Sequence, residues 1–453
     1  MSPGVRRLAL AAVLAAGLFT GLLLAWPGQF SPDSIWQLMQ GRTGIYNSWH
    51  PPVMAWLLGL FDRVSPGAGG FIVFDSALGY GALLAFAALS PRPRWIAVAA
   101  AALLCASPLL IIYQGDVWKD VLFADAAVGG FAALAWVGRL WPRRIWRYGL
   151  SALGFVLFAL AVLARQNGIF VAIWAAAGFA AIAWRSMPAG PRIARVALIH
   201  GAIGLSLTFA LAGAGTALLT LRSDGDPAQA QQVEWVQAWD LAGAARLDPH
   251  LDLRTLEIAA PDAAALVRNA AGVWRPDRID SLILYPGADD ALDEAGPAVA
   301  RQWRSLILQQ PLLYARLRLA VFGRLLATPD LADCRPLFIG LDGDRPTLAA
   351  LELPPRDLGR DKRVRAYALA FVGTPVLSHL VYAALAMVLA GLALRDLRRG
   401  SGGPGEIAVL AMTGAAFTFA ASFLVVGLSC DYRYLYLLDL AAMAALLHRL
   451  AKP

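Results

Sequence analysis

The chain has 453 residues, 58% hydrophobic and 15% charged, with a formal net charge of +8 and a mean hydropathy of +0.58. Soluble chains carry about 25% charged and about 45–50% apolar residues, so a soluble single domain is excluded. An outer-membrane barrel is excluded as well, because the apolar residues come in blocks of roughly twenty, the helical length that crosses a hydrocarbon core, and not in alternation.

The first block, Leu8 to Trp26, follows Arg6 and Arg7. It is longer than the roughly 7–15 residues of a signal-peptide apolar region, so it reads as a retained span with its amino end in the cytoplasm. In the loop that follows, Ser31-Pro32-Asp33 reads as a helix start: serine as N-cap, proline first, and an acid favoured by the helix dipole. The same carboxylate at an outer membrane surface, near the pre-proline His50, also suits proton acceptance from a hydroxyl. Residues 51–64 are too short to cross and contain Asp62 and Arg63, which predicts a helix along the interface.

Further spans are predicted near 69–89, 95–113, 119–138, 148–164, 168–184, 196–221, 366–394, 406–428 and 432–450, ten in all. With the amino end inside, every predicted inner loop is rich in arginine: 92 and 94; 139, 143, 144 and 147; 185, 192 and 195; 395, 398 and 399; then Arg449 and Lys452. That is the bias expected of cytoplasmic loops. It also explains the basic balance without nucleic acid, since the charge lies in short loops between spans.

The outer loops hold the unusual polar residues. In Gln114-Gly-Asp-Val-Trp-Lys-Asp, Asp116, Lys119 and Asp120 have the spacing of one helical face. Their bland reading is a local salt bridge. Lys119 is nevertheless one of only three lysines in the chain, and a compact ammonium suits a phosphate or a carboxylate as a point charge. Arg165-Gln-Asn-Gly follows a span, and Cys430-Asp-Tyr-Arg-Tyr opens the last one. Arg165 and Arg433 either snorkel to headgroups or join Lys119 in gripping a lipid-linked phosphate. Asp75, Asp125 and Asp439 fall in the outer halves of their spans, where ionisable groups are costly and commonly functional. His200 and His379 are isolated and read as satisfied by neighbouring helices.

Residues 222–365 form a long outer segment, acidic in its first half (Asp224, Asp226, Glu234, Asp240, Asp248, Asp289, Asp290, Asp293, Glu294). Residues 302–326 place Arg316, Arg318 and Arg324 among leucines, the pattern of a helix lying on the membrane surface. Domain limits follow at 1–221, 222–365 and 366–453. Cys105, Cys334 and Cys430 make no zinc framework. The latter two fall on the oxidising side, where a bridge would tie the outer segment to the last span. No nucleotide-binding or hydrolase motif stands in a usable context.

Taken in order, an acid after the first span, a His-Pro pair, Lys-Asp in the second outer loop, Arg-x-Asn-Gly and Asp-x-Arg-Tyr resemble bacterial polytopic glycosyltransferases of the GT-C fold. The resemblance implies an all-α membrane protein of about ten spans, with interface helices and a large outer domain, in the bacterial cytoplasmic membrane with both termini inside. It implies transfer of a sugar from a polyprenyl-phosphate donor to a glycan, lipid or protein acceptor, with inversion, Asp33 acting as general base. Lys119, Arg165 and Arg433 would meet the lipid phosphate. His50, Asp116, Asp120, Asn167, Asp431 and Tyr434, from the same motifs, would line the substrate site. The resemblance implies no cofactor beyond the lipid-linked donor and leaves a divalent cation open; Ser34 stands where many members have a second acid, which weighs against metal assistance. Two other readings fit a one-sided set of charges: a transporter or flippase of lipid-linked saccharides, and a polymerase or ligase of envelope glycans.

Overall fold

A computed structural model describes residues 3–47, 49–188, 190–223, 228–293, 295–328, 330–353 and 356–452. Asp224, Asp226 and Glu294 lie outside the described residues. After α1 (Pro3–Ala25), the first outer loop forms α2 (Pro32–Thr43) and α3 (Val53–Asp62). Pro32 stands in the first turn of α2, where its missing N–H costs nothing. Ser31 is extended but makes no cap bond; its Oγ instead lies 3.0 Å from Trp118 Nε1, which donates to it. α2 and α3 cross backbone to backbone at Gly41 and Gly59, where a Cβ on either residue would collide with the other helix.

Next come α4 (Gly69–Ala88), α5 (Trp95–Ala106), α6 (Pro108–Tyr113), α7 (Lys119–Arg139), α8 (Arg144–Ala164), α9 (Ile169–Ser186) and α10 (Ile193–Thr220). The span predicted near 95–113 is thus two helices. Pro108 cannot donate to the α5 ladder and forces Ser107 into an extended conformation, ψ 135°. Ser107 Oγ then accepts from Leu109 N–H at 3.3 Å and starts α6.

Toward one end of the bundle, Trp136 of α7 donates to the Ala85 carbonyl of α4 at 3.0 Å. At the other, Gln29 N–H donates to the Gly115 carbonyl at 3.0 Å and Val117 N–H to the Gln29 carbonyl at 3.0 Å. Nine helices among the described residues are long and apolar enough to cross a membrane, and α5 is a shorter apolar helix outside that set.

The outer segment is helical: α11 (Ala228–Leu247), α12 (Arg254–Ala259), α13 (Pro261–Ala270), α14 (Asp280–Ile283), α15 (Ala288–Leu292), α16 (Gly296–Gln309) and α17 (Pro311–Ala327). These helices enclose their own apolar core around Trp239, Leu253, Val267, Val299 and Leu317. Pro311 divides the predicted amphipathic helix in two. Arg318 does not lie on a membrane surface as its sequence context suggests. It is buried, donates to Asp240 Oδ1 at 2.7 Å, and caps the end of a membrane helix through the Leu424 and Gly427 carbonyls, both at 2.9 Å. A guanidinium there meets the negative end of the helix dipole.

α18 (Leu331–Cys334), α19 (Arg345–Ala350) and α20 (Leu358–Leu369) return the chain to the bundle, which closes with α21 (His379–Arg398), α22 (Pro404–Val426) and α23 (Tyr436–Ala451). The eighth span therefore starts at His379 and not near 366. α20 carries Arg360, Asp361, Lys362, Arg363 and Arg365, too many charges for a span, and Pro375 follows Gly373 at φ 75° in the break. Arg360 donates to the Leu23 and Trp26 carbonyls at 3.0 and 2.7 Å, which seats α20 on the end of α1. A disulfide joins Cys334 to Cys430. Beside it Ile279 N–H donates to the Leu428 carbonyl at 2.9 Å and Cys430 N–H to the Asp277 carbonyl at 2.8 Å, so the outer segment braces the turn before α23.

Candidate functional site

Three loops and two helix ends meet at one end of the bundle. Residues 28–31 lie between 115–117 and 340–342: Phe30 N–H donates to the Gly340 carbonyl at 3.0 Å, and Asp342 N–H to the Phe30 carbonyl at 2.8 Å. Ser34 Oγ donates to the Val117 carbonyl at 2.6 Å. These bonds hold the start of α2, with Asp33, against the start of α7, with Lys119 and Asp120. A 3₁₀ turn, Tyr432–Leu435, brings Arg433 and Tyr434 to the same place.

Arg433 Nη2 donates to Asp33 Oδ2 at 2.7 Å and stands 3.6 Å from Asp431 Oδ2. Its guanidinium lies over Trp118, 4.9 Å from the ring centre, and beside Tyr434 at 5.6 Å. On the other side of Asp33, His50 Nε2 is 3.7 Å from Oδ1, and Lys119 Nζ is 2.8 Å from His50 Nδ1. An ammonium has no acceptor capacity, so Nδ1 accepts and the neutral ring carries its proton on Nε2, toward Asp33. Burial would raise the Asp33 pKa, but Arg433 and His50 outweigh it and hold the carboxyl well below its usual range. His50 is pushed down, by burial first and then by Lys119. Asp33 keeps 35% of its side-chain exposure, so it is partly open to solvent.

Arg165 pairs with the buried Asp120. Its guanidinium is walled by Phe419, Phe423 and Tyr434, at 5.6, 5.4 and 5.1 Å from the ring centres, an arrangement in which the aromatic faces favour a cation. Asn167 donates to Ser422 of α22 at 2.9 Å and so anchors the segment that follows Arg165. Asp431 lies between Arg433 and Arg278, 3.9 Å from the latter.

Asp116 departs from the helical spacing inferred for it. α7 begins only at Lys119, and Asp116 sits in the extended stretch paired with Gln29, so no local Asp116–Lys119 bridge forms. Both of its carboxylate oxygens are buried without a hydrogen-bond partner among the described residues. Burial pushes its carboxyl well above the usual range, opposed by Arg356 and Arg433.

Of the residues singled out from sequence, Asp33, His50, Lys119, Asp120, Arg165, Asp431, Arg433 and Tyr434 thus share one cluster, while Asn167 supports it from the side. Sequence reasoning missed Trp118, Phe419, Phe423, Arg278 and Arg356. Trp118, next to Lys119, was within reach of it; the others lie in segments whose partners are far along the chain. Asp439 and His379, isolated in sequence, pair behind the 3₁₀ turn: His379 Nδ1 is 2.9 Å from Asp439 Oδ1, and Nε2 is 3.0 Å from the Tyr432 carbonyl oxygen. That contact fixes the turn presenting Arg433.

No protein-family model and no curated protein matches the chain. Among solved structures it is similar to the oligosaccharyltransferase of Archaeoglobus fulgidus. The crystal structure with zinc and sulfate aligns at 13% identity and a TM-score of 0.42, covering 96% of this chain and 48% of the other. The apo crystal structure aligns at 15% and 0.42, with 98% and 50% covered. The same enzyme, AglB, in complex with an inhibitory peptide and a dolichol-phosphate, aligns at 16% and 0.41, with 98% and 50% covered. The chain spans about half the length of those proteins.

Proposed function

We propose that this protein is a GT-C-type glycosyltransferase that moves a sugar from a polyprenyl-phosphate donor to an acceptor at the outer face of a bacterial cytoplasmic membrane, with inversion at the anomeric carbon. One observation carries this reading: a partly exposed carboxylate, Asp33, meets three cations, Lys119, Arg165 and Arg433, at one end of a membrane bundle, either directly or through His50 and Asp120. The chemistry asks for little else. The acceptor oxygen attacks the anomeric carbon, the bond to the phosphate oxygen breaks with its electron pair, and the acceptor's proton passes to Asp33. Lys119, Arg165 and Arg433 stabilise the charge that gathers on the departing phosphate.

A divalent cation has no part in this scheme. Asp33 faces Arg433 and His50, not a second carboxylate. Among the described residues, the group of three ligand atoms close enough for one ion is Asp277 with Cys334 and Cys430, whose sulfurs are joined to each other.

Purified protein supplied with a short-chain polyprenyl-phosphate sugar and envelope extract should release polyprenyl phosphate and label an acceptor. Asp33→Asn should bind the donor yet transfer about 10²–10⁴-fold more slowly, and full transfer by that variant would remove Asp33 from the role of base. A transporter is favoured by a different observation: Asp75 Oδ1 is buried without a partner among the described residues, near Asp125, which accepts from Gln114 Nε2 at 2.9 Å. Counterflow of intact lipid-linked sugar in proteoliposomes, with no covalent product, would select that reading.

A further inference from the structure

A general base tied to a guanidinium is held in its least basic condition, and the site contains that contradiction. Asp33 is bound by Arg433 at 2.7 Å, which weakens its carboxylate as an acceptor of a hydroxyl proton. The cation in question is itself under-bonded. A guanidinium has five N–H donors, yet Arg433 Nε is buried with no hydrogen-bond acceptor among the described residues; Asp120 Oδ2 lies 3.7 Å away. The contrast with Arg318 is direct: Arg318 makes bonds of 2.7 to 2.9 Å to Asp240, Leu424 and Gly427, and its partners lie inside the protein. Arg165 is paired with an Asp120 that is 2% exposed. Among these three arginines, Arg433 is the one whose carboxylate partner is partly exposed, Asp33 at 35% against 0% for Asp240.

Resting on the glycosyl-transfer reading above, we propose that Arg433 is exchanged between Asp33 in the empty enzyme and the phosphate of the donor, so that donor binding frees the carboxylate and the reaction is ordered, donor first. The phosphate offers Arg433 a second acceptor oxygen, which the present geometry lacks, and a bidentate grip. Trp118 and Tyr434 stay against the guanidinium plane through a short swing and keep it stacked. Once freed, Asp33 keeps His50 Nε2 near one oxygen, at 3.7 Å, and the oxygen released by Arg433 is open to the acceptor. During transfer the phosphate gains charge as the sugar–oxygen bond breaks, so Arg433 binds it more tightly at that moment. When polyprenyl phosphate departs and the Asp33 proton returns to water, Arg433 and Asp33 pair again, which assists product release. An acceptor arriving before the donor finds the base still paired, and so does water entering the empty site.

The test is the affinity for polyprenyl phosphate, measured by calorimetry on the full-length protein in nanodiscs. Asp33→Asn and Asp33→Ala remove the competing anion, so both should bind the lipid phosphate more tightly, by about fivefold, the factor expected for release of a partly exposed ion pair. Adding Arg433→Gln to either variant should abolish the gain. Unchanged or weaker binding in both single variants, with wild-type binding intact, overturns the exchange while leaving the donor reading in place. Absence of binding by the wild type and both variants overturns the donor reading and the exchange together. Use of two substitutions, each checked by size-exclusion profile, separates competition from misfolding.

Discussion

The two ends of the membrane bundle both carry ionic clusters, built on different principles. At the arginine-rich end, Glu406 in the first turn of α22 accepts from Gly403 N–H at 2.6 Å, from Lys452 at 2.6 Å and from His448 at 3.0 Å. Asp396 takes Arg449 at 2.8 Å and Lys452 at 3.1 Å. Glu406 lies in an opening turn and His448 and Arg449 in a closing one, where the dipole favours their signs, while Asp396, in the last turn of α21, is held by Arg449 and Lys452 instead. The cluster staples α21, α22 and α23, and capping accounts for all of it but Asp396. At the other end the members come from α2, the loop before α3, α7, the segment after α8 and the turn before α23, and first-turn placement accounts for Asp33 and Asp120 but not for His50, Lys119, Arg165 or Arg433. His50 and Arg433 belong to no helix terminus in the dipole sense, a carboxylate is left partly exposed, and buried polar atoms lack partners. A cluster with spare bonding capacity on an open face is suited to a ligand; one with its bonds complete is suited to holding helices together.

The largest effect that breaks or upholds this contrast is on transfer. Asp33→Asn should slow it by about 10²–10⁴-fold, the usual worth of a positioned base, whereas Glu406→Gln should leave the rate within about twofold while lowering stability by about 1–3 kcal/mol. Parallel rate measurements on both purified variants decide the matter, and comparable losses would erase the distinction between the two ends. Next in size is Arg318→Ala, which strands Asp240 and the carbonyls at the end of α22; unfolding in mixed micelles should show a loss of about 3–5 kcal/mol. A smaller loss, about 1–3 kcal/mol for overpacking, is expected for Gly59→Ala, and its readout should include transfer, since α3 supports the helix that carries Asp33.

The smallest effect sharpens the chemistry of the outer cluster. In the empty enzyme Asp33 faces Arg433, His50 and Lys119 and stays ionised well below the usual carboxylate range. Once Arg433 has moved to the donor, the Asp33 pKa rises. The acid limb of kcat, which reports the donor-loaded enzyme, should therefore lie at higher pH than the acid limb of kcat/KM for donor, which reports the free one. Coincident limbs would mean that Arg433 stays on Asp33 throughout.

Much of the layout is written in local composition. Hydropathy marks the long helices, and the arginine bias assigns the loops to sides, which already puts Asp33, Lys119, Arg165 and Arg433 together. The errors have local causes as well. Pro108 breaks a helix that apolarity alone makes continuous, and α20 reads as part of a span because its alanines and leucines merge with those of the next helix. Arg318 reads as a surface residue because nothing near it in the chain announces Asp240, 78 residues away.

A multi-pass membrane character, the existence of most of the long helices and the residue types available for chemistry follow from the sequence by itself, because each depends on short windows of hydrophobicity and charge. Which cation meets which carboxylate was decided only by the tertiary structure. Arg433 reaches Asp33 across 400 residues, and His50, not Asp116, receives Lys119. Coulomb attraction sorts such partners by distance in space, and distance in space is set by how the bundle helices and the braced segment between α10 and α21 pack.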